Sequence, residues 1–191
     1  MIKTQTPCNM KFKNLVFCCL VLILGACQEK KHSVGTQSTT VLDSSTFTKY
    51  QKDNYSIQFP NNWVLENDPT ADVAFYIYLN NHSYSDEIGE NINLWIVPVG
   101  SDVSLEAFTK KSIQEFKTQG EVISSEKFVT PAKEYQRVIT KMKMYGEEVK
   151  FLQHYVLKDS KAYVLTFTAI ERNFERLEKT AEQVMLSFQI D

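Results

Sequence analysis

Past residue 27 the sequence holds no cysteine; all four, Cys8, Cys18, Cys19 and Cys27, lie at its amino end. This excludes disulfides, Cys₄ or Cys₂His₂ zinc sites and cysteine nucleophiles from everything downstream. A domain without such staples must be stabilised by its core. A chain of roughly 150 residues buries about 68–70% of its unfolded surface, so residues 47–191 are long enough to form one. Glycine is scarce, at six scattered residues. No glycine-rich phosphate loop and no Gly-x-Ser-x-Gly nucleophile elbow can be drawn from them. Charge is nearly balanced, with 21 basic and 23 acidic residues and a net charge of -2. No basic run stands out downstream, which disfavours nucleic acid as a partner. There is no internal repeat.

What the amino end does contain is directive. Lys11 and Lys13 precede an apolar run from Leu15 to Leu24, closed by Gly25-Ala26-Cys27. A basic start, an apolar stretch and small residues describe a secretory signal. A membrane span needs roughly 20 apolar residues; this run is shorter and breaks at Gly25. The ending Leu24-Gly25-Ala26-Cys27 resembles the bacterial lipobox, whose cysteine is lipidated and becomes the first mature residue. Residues 1–26 then form the signal peptide, and 27–46 the lipidated Cys27 with a flexible tether. A cleaved signal without lipid and a retained anchor are the alternatives, and Met10 is an alternative start to Met1. The resemblance implies a diacylglyceryl thioether plus an amide-linked acyl chain, and anchoring by more than one chain is stable. Gln28 follows the cysteine where inner-membrane lipoproteins often carry aspartate. The expected location is the outer membrane, facing the periplasm. Gln28 to Ser45 are too polar to order themselves and reach on the order of 25 Å.

Alternation and turn residues then lay out a folded domain. Phe47–Gln51 and Tyr55–Phe59 read as a hairpin across Lys52-Asp53-Asn54, followed by Trp63-Val64-Leu65. Val73–Leu79 and Ile92–Val99 are strands joined by a polar, acidic loop. Ser104 caps a helix with Leu105, Phe108, Ser112 and Phe116 on one stripe, ended by Gly120. Further strands are Val122–Val129, Tyr135–Met144, Val149–Leu157 and Ala162–Ile170. A second helix carries Phe174, Leu177, Ala181, Val184, Met185 and Phe188 at helical steps. The last two strands are apolar on both faces and need cover on both sides. The expected fold is α+β: a three-layer helix–sheet–helix domain, with two main helices and a mainly antiparallel central sheet of about 6–7 strands.

Particular stretches resemble PsbP-like proteins. Tyr55-Ser56-Ile57-Gln58-Phe59-Pro60-Asn61-Asn62-Trp63 is similar to their opening motif, and Ser104-Leu105-Glu106 to the start of their first helix. Tyr155–Thr168 is similar to their late hairpin, and Val184-Met185-Leu186-Ser187-Phe188 to their closing tail. The order of elements resembles the Mog1/PsbP-like fold shared with DcrB-type bacterial lipoproteins, over residues 47–191. The matching positions are mostly packing positions, and the lipoprotein signal argues against the photosynthetic role of some members. The resemblance implies a non-catalytic binding or assembly module with an envelope protein as partner. The alternative is a small-ligand or metal-binding lipoprotein that serves a transporter, with a hydrolase third.

Three sets of residues are candidates for chemistry. His82, Asp86, Glu87 and Glu90 lie in the loop before the fifth strand and could gather round a divalent cation, although a solvated acidic loop is the plainer reading. No other cofactor is expected. Tyr76, Tyr78 and Trp95 form a possible aromatic interaction patch, unless a helix covers them as core. His154 shares a strand face with Leu152 and Val156 and reads as a half-buried structural imidazole, with a catalytic base as the alternative. His32 falls in the tether.

Overall fold

The computed structural model describes residues 46–67, 72–79 and 88–191. The chain runs β1 (Phe47–Lys52), β2 (Tyr55–Pro60), β3 (Trp63–Glu66), β4 (Val73–Leu79), β5 (Asn91–Pro98) and α1 (Leu105–Phe116). It continues through β6 (Glu121–Val129), β7 (Glu134–Met144), β8 (Glu147–Lys158), β9 (Lys161–Ile170), α2 (Glu171–Leu186) and β10 (Gln189–Ile190). Seven strands form one sheet in the order β3-β4-β5-β9-β8-β7-β6, and every pairing in it is antiparallel. Two-residue turns join its longest strands. Tyr145 and Gly146 both adopt positive φ between β7 and β8, as do Asp159 and Ser160 between β8 and β9. That backbone matches the right-handed twist of the flanking strands.

Alternation along β8 and β9 sorts side chains between two layers. Leu152, Val156, Tyr163, Leu165, Phe167 and Ala169 join the main core, with Phe174, Leu177, Ala181 and Val184 of α2. Tyr155 faces the other way, in a smaller core with Leu105 and Val138, against which Phe108, Ile113, Leu157 and Val164 pack. The two helices therefore lie on opposite faces, as the doubly apolar strands required. Ser104 caps α1, its Oγ accepting from the Ala107 amide at 3.1 Å.

One detail was left open by the sequence, and two depart from its reading. The first hairpin stays out of the central sheet: β1, β2 and the short β10 form a separate three-stranded sheet. Its Tyr55, Ile57 and Phe59 pack into the main core beside α2. Phe188 lies beyond α2, not on its stripe, and β10 follows it at once. Helix α1 ends at Phe116, before Gly120, because Lys117 caps it and a turn follows. Gly120 serves a different purpose there. A Cβ at this position would stand 2.4 Å from the Lys141 carbonyl oxygen and 2.5 Å from the Phe116 ring. Gly120→Ala is expected to cost about 1–3 kcal/mol, as overpacking does, read as a lower chemical-denaturation midpoint.

Polar groups pin α2 to the sheet. Arg137 of β7 donates from Nη2 to Glu178 at 2.7 Å and from Nε to both Glu182 oxygens at 3.0 Å. Glu178 and Glu182 stand four residues apart on one helix face, which suits a shared partner. Lys133 donates from Nζ to the carbonyls of Met185, Leu186 and Phe188 at 3.3, 3.1 and 2.7 Å. A cation among the last carbonyls satisfies orphan acceptors and complements the helix dipole. Burial lowers the Lys133 ammonium to about 8.

Candidate functional site

The face of the sheet that carries α1 is only partly roofed. The helix packs over β6, β7 and β8. Beyond it, β9, β5, β4 and β3 present one continuous surface, whose composition follows from strand alternation. On β5, Ile92 and Leu94 point into the main core, so Asn91, Asn93 and Trp95 point to the α1 side. On β4, Phe75 and Ile77 are core, leaving Tyr76 and Tyr78 on the same side as Trp95. Strand register completes the array. Glu66, Tyr76, Asn93, Thr166 and Gln153 lie directly opposite one another across five strands. Val64, Tyr78, Asn91, Thr168 and Phe151 form the adjoining row.

The aromatic residues proposed from the sequence thus share one face and are not roofed by α1. Tyr76 and Tyr78 stack with ring centroids 5.6 Å apart and planes at 14°. Burial raises the phenol pKa of both; at Tyr78 the charge of Glu66 and the neighbouring Tyr76 add to it. Trp95 is 38% exposed, and Val64 is 46% exposed on the outermost strand. Interior strands make this a rigid platform.

Between the rings and α1 runs a polar strip. Asn91 donates from Nδ2 to the Gly89 carbonyl at 2.8 Å, and Asn93 donates from Nδ2 to Asn91 Oδ1 at 3.1 Å. Gln153 donates to Thr166 Oγ1 at 3.3 Å and accepts from the Tyr155 hydroxyl at 2.8 Å. Asn93 Oδ1 is buried without a partner. The sequence reading had not singled out these residues. The signal for them was the alternation of polar and apolar residues in Asn91-Ile92-Asn93-Leu94 and Leu165-Thr166-Phe167-Thr168.

The other candidates fare differently. Of the proposed cation ligands, Glu90 accepts from Asn173 Nδ2 at 2.6 Å, which ties it to the first turns of α2. His82, Asp86 and Glu87 lie outside the described residues, as do Cys27, His32 and the tether. Among the described residues no three His, Cys, Asp or Glu side chains cluster as a metal site would require, and no helix is long and apolar enough to span a membrane. His154 is not half-buried but fully enclosed, its Nε2 3.3 Å from Glu182 Oε1. Burial lowers its pKa, outweighing the hydrogen bond and charge of Glu182 that would raise it. The imidazole is neutral and donates to the carboxylate.

One helix on each face of an antiparallel seven-stranded sheet, with a small sheet beside α2, defines a Mog1/PsbP-like scaffold. The PsbP family model matches residues 45–190, and the chain belongs to that family. Among solved structures it is similar to cyanobacterial PsbP (CyanoP) from Synechocystis sp. PCC 6803. That likeness has 16% identity and a TM-score of 0.60, and covers 81% of this chain and 98% of the other. It is also similar to LpqN, involved in cell envelope biogenesis of Mycobacterium tuberculosis, at 11% identity and TM-score 0.56, over 75% and 90% of the two chains. PA94 from Pseudomonas aeruginosa, a putative regulator of unknown function, matches at 9% identity and TM-score 0.53, over 74% and 94%. At these identities the likenesses show the fold alone. No curated protein matches the chain. The family and these three structures carry no enzyme's name.

Proposed function

We propose that this chain is a lipid-anchored protein of the cell envelope, a non-catalytic module that binds another envelope component through the open face of β3, β4, β5 and β9. The observation that carries the reading is Trp95, more than a third exposed on an interior strand beside the Tyr76–Tyr78 stack. Large rings displayed on a rigid platform are the usual anchors of an interface. The likeness to an envelope-biogenesis protein supports the compartment, and the Leu24-Gly25-Ala26-Cys27 ending supports the anchor. Lipid at Cys27 would hold the module at the outer membrane, and the polar tether would let it turn.

Two measurements test this. Labelled palmitate is expected on the wild type and absent from Cys27→Ser, which should move to the soluble fraction; label persisting on the variant would sink the anchor. A photo-crosslinker at position 95 is expected to trap an envelope component, whereas one at Val129, exposed at the far edge of the sheet, should not. Trp95→Ala is expected to weaken capture by about tenfold, the loss of one hot-spot residue, with melting temperature unchanged. Global unfolding of that variant would instead make Trp95 a core residue.

A further inference from the structure

The rings on the open face deepen that reading, and rest on it, by specifying the chemistry of the partner. The floor beside them is closed: Thr166 is 8% exposed and Asn93 Oδ1 is buried. A partner therefore meets what stands above it, which is Trp95, the Tyr76–Tyr78 stack and the exposed Val64. Among the described residues the Trp95 indole makes no ring contact and stands apart from that stack. Register explains the gap. Tyr76 is opposite Asn93, two residues along β5 from Trp95, and the ladder shifts between Val73 and Phe75. Diagonal neighbours of this kind stand about 7–8 Å apart, which leaves room for one small saturated ring between indole and phenol.

The polar atoms of these rings narrow the partner further. Among the described residues neither the Trp95 indole nor the Tyr76 hydroxyl has a hydrogen-bond partner, and the Tyr76 oxygen is not a buried atom. An indole N–H can only donate, so it calls for an unused acceptor. Carbonyls of helices and sheets are engaged, whereas a polyproline II helix has no internal hydrogen bonds and leaves its carbonyls open. Proline also brings no N–H of its own, which suits rings that offer donors. A strand added through its main chain needs an open sheet edge, yet β4, β5 and β9 are interior strands. Charge completes the description. Glu66 stands directly opposite Tyr76, exposed and in no ion pair among the described residues. It is the one ionisable acid or base in the two rows besides the tyrosines, so an anionic segment finds an acid there and no cation. From the separated rings, their unused donors and the lone Glu66, we infer that this face docks a proline-rich segment of an envelope protein, held as a polyproline II helix with a basic residue beside Glu66.

The test titrates the full-length protein in detergent with synthetic peptides of equal length: polyproline ending in arginine, polyproline ending in glutamate, and a glycine–serine chain ending in arginine. Calorimetry and tryptophan emission follow binding. The chain has two tryptophans, and Trp63 is buried while Trp95 is exposed, so a peptide-induced change in emission should vanish in Trp95→Phe. The arginine polyproline is expected to bind with a dissociation constant below about 1 mM, and the glycine–serine chain about tenfold more weakly. Tyr76→Phe keeps the ring but removes the donor, and should weaken binding by about fivefold. Glu66→Gln should cut the preference for arginine over glutamate by about threefold; its exposed position keeps the test valid if another variant fails to fold. No binding of the arginine polyproline, equal binding of the glycine–serine chain, or wild-type behaviour in both Tyr76→Phe and Glu66→Gln overturns the assignment. A crosslinker at position 95 that traps only a second copy of this chain overturns it as well. If that crosslinker traps an envelope protein while no polyproline binds, the binding-module reading survives alone. If it traps nothing and no peptide binds, both fall.

Discussion

Glu182→Ala should lower the stability of the domain by about 3 kcal/mol. Removing one member of a buried ion pair typically costs about 3–5 kcal/mol; the lower end applies because this pair is only partly buried, at 15% and 18% exposure, and Glu178 still reaches Arg137. Two buried groups lose a partner at once: the Arg137 guanidinium, and the His154 imidazole whose Nδ1 is already unpaired. The effect should depend on pH in a defined direction. Burial alone would raise the Glu182 carboxyl, but hydrogen bonds from His154 and Arg137 and the guanidinium charge overcome it and hold the group well below its ordinary 4.5. Its contribution is therefore complete above about pH 4.5 and is lost as pH falls below it. His154 works in the same sense. Below its ordinary value of 6.5 the unfolded chain takes up a proton that the folded chain refuses, so acid destabilises again. Thermal melting followed from pH 7 down to 3 should show the wild type losing stability throughout, and Glu182→Ala losing little of it below 4.5. A variant with the same acid slope as the wild type would show that the clamp contributes nothing.

Phe188→Ala is expected to be as damaging, at about 3–5 kcal/mol, the usual result of emptying a buried phenylalanine site. Its ring is 1% exposed and meets Tyr55 of the small sheet and Tyr163 of the large one, with centroids 5.9 and 6.0 Å away. Next to it, Ser187 Oγ accepts from the Gln58 amide at 2.9 Å and donates to the Val184 carbonyl at 2.6 Å, with the Gln58 carbonyl 3.1 Å away. This short segment is where α2, β2 and β9 meet. The loss should be uneven: hydrogen exchange should quicken first at amides of β2 and β10 and last at β8 and β9. Equal acceleration in every strand would show that the small sheet has no separate hold.

The architecture was legible where local pattern decides it. Two-sided apolar runs in Phe151–Leu157 and Tyr163–Ile170 demanded cover above and below, and α1 and α2 supply it. The separate small sheet was not legible, because β10 is two residues long and shows no period. Which sheet β1 and β2 join depends on how Tyr55 and Ile57 pack, not on their spacing. The carboxylates of the clamp had a readable spacing at Glu178 and Glu182, but their partner Arg137 sits 41 and 45 residues earlier in the chain. On the open face, sequence placed Tyr76, Tyr78 and Trp95 on strands. It could not say whether α1 would lie over them, since its position across the sheet is set by Phe108 against Tyr155 and Phe116 against Phe151.

Strands β8 and β9 carry alternate residues with opposite duties. His154, Leu165 and Phe167 hold α2, while Gln153, Thr166 and Thr168 line the open side. Substitutions on the two sides share few partners, and their energetic effects should nearly add. A lineage can then vary the open side of these strands without disturbing the hold on α2. That freedom excludes Phe151, Tyr155, Leu157 and Val164, which hold α1 on that same side. The side chains that hold α2 are thereby separated from those that face the other way.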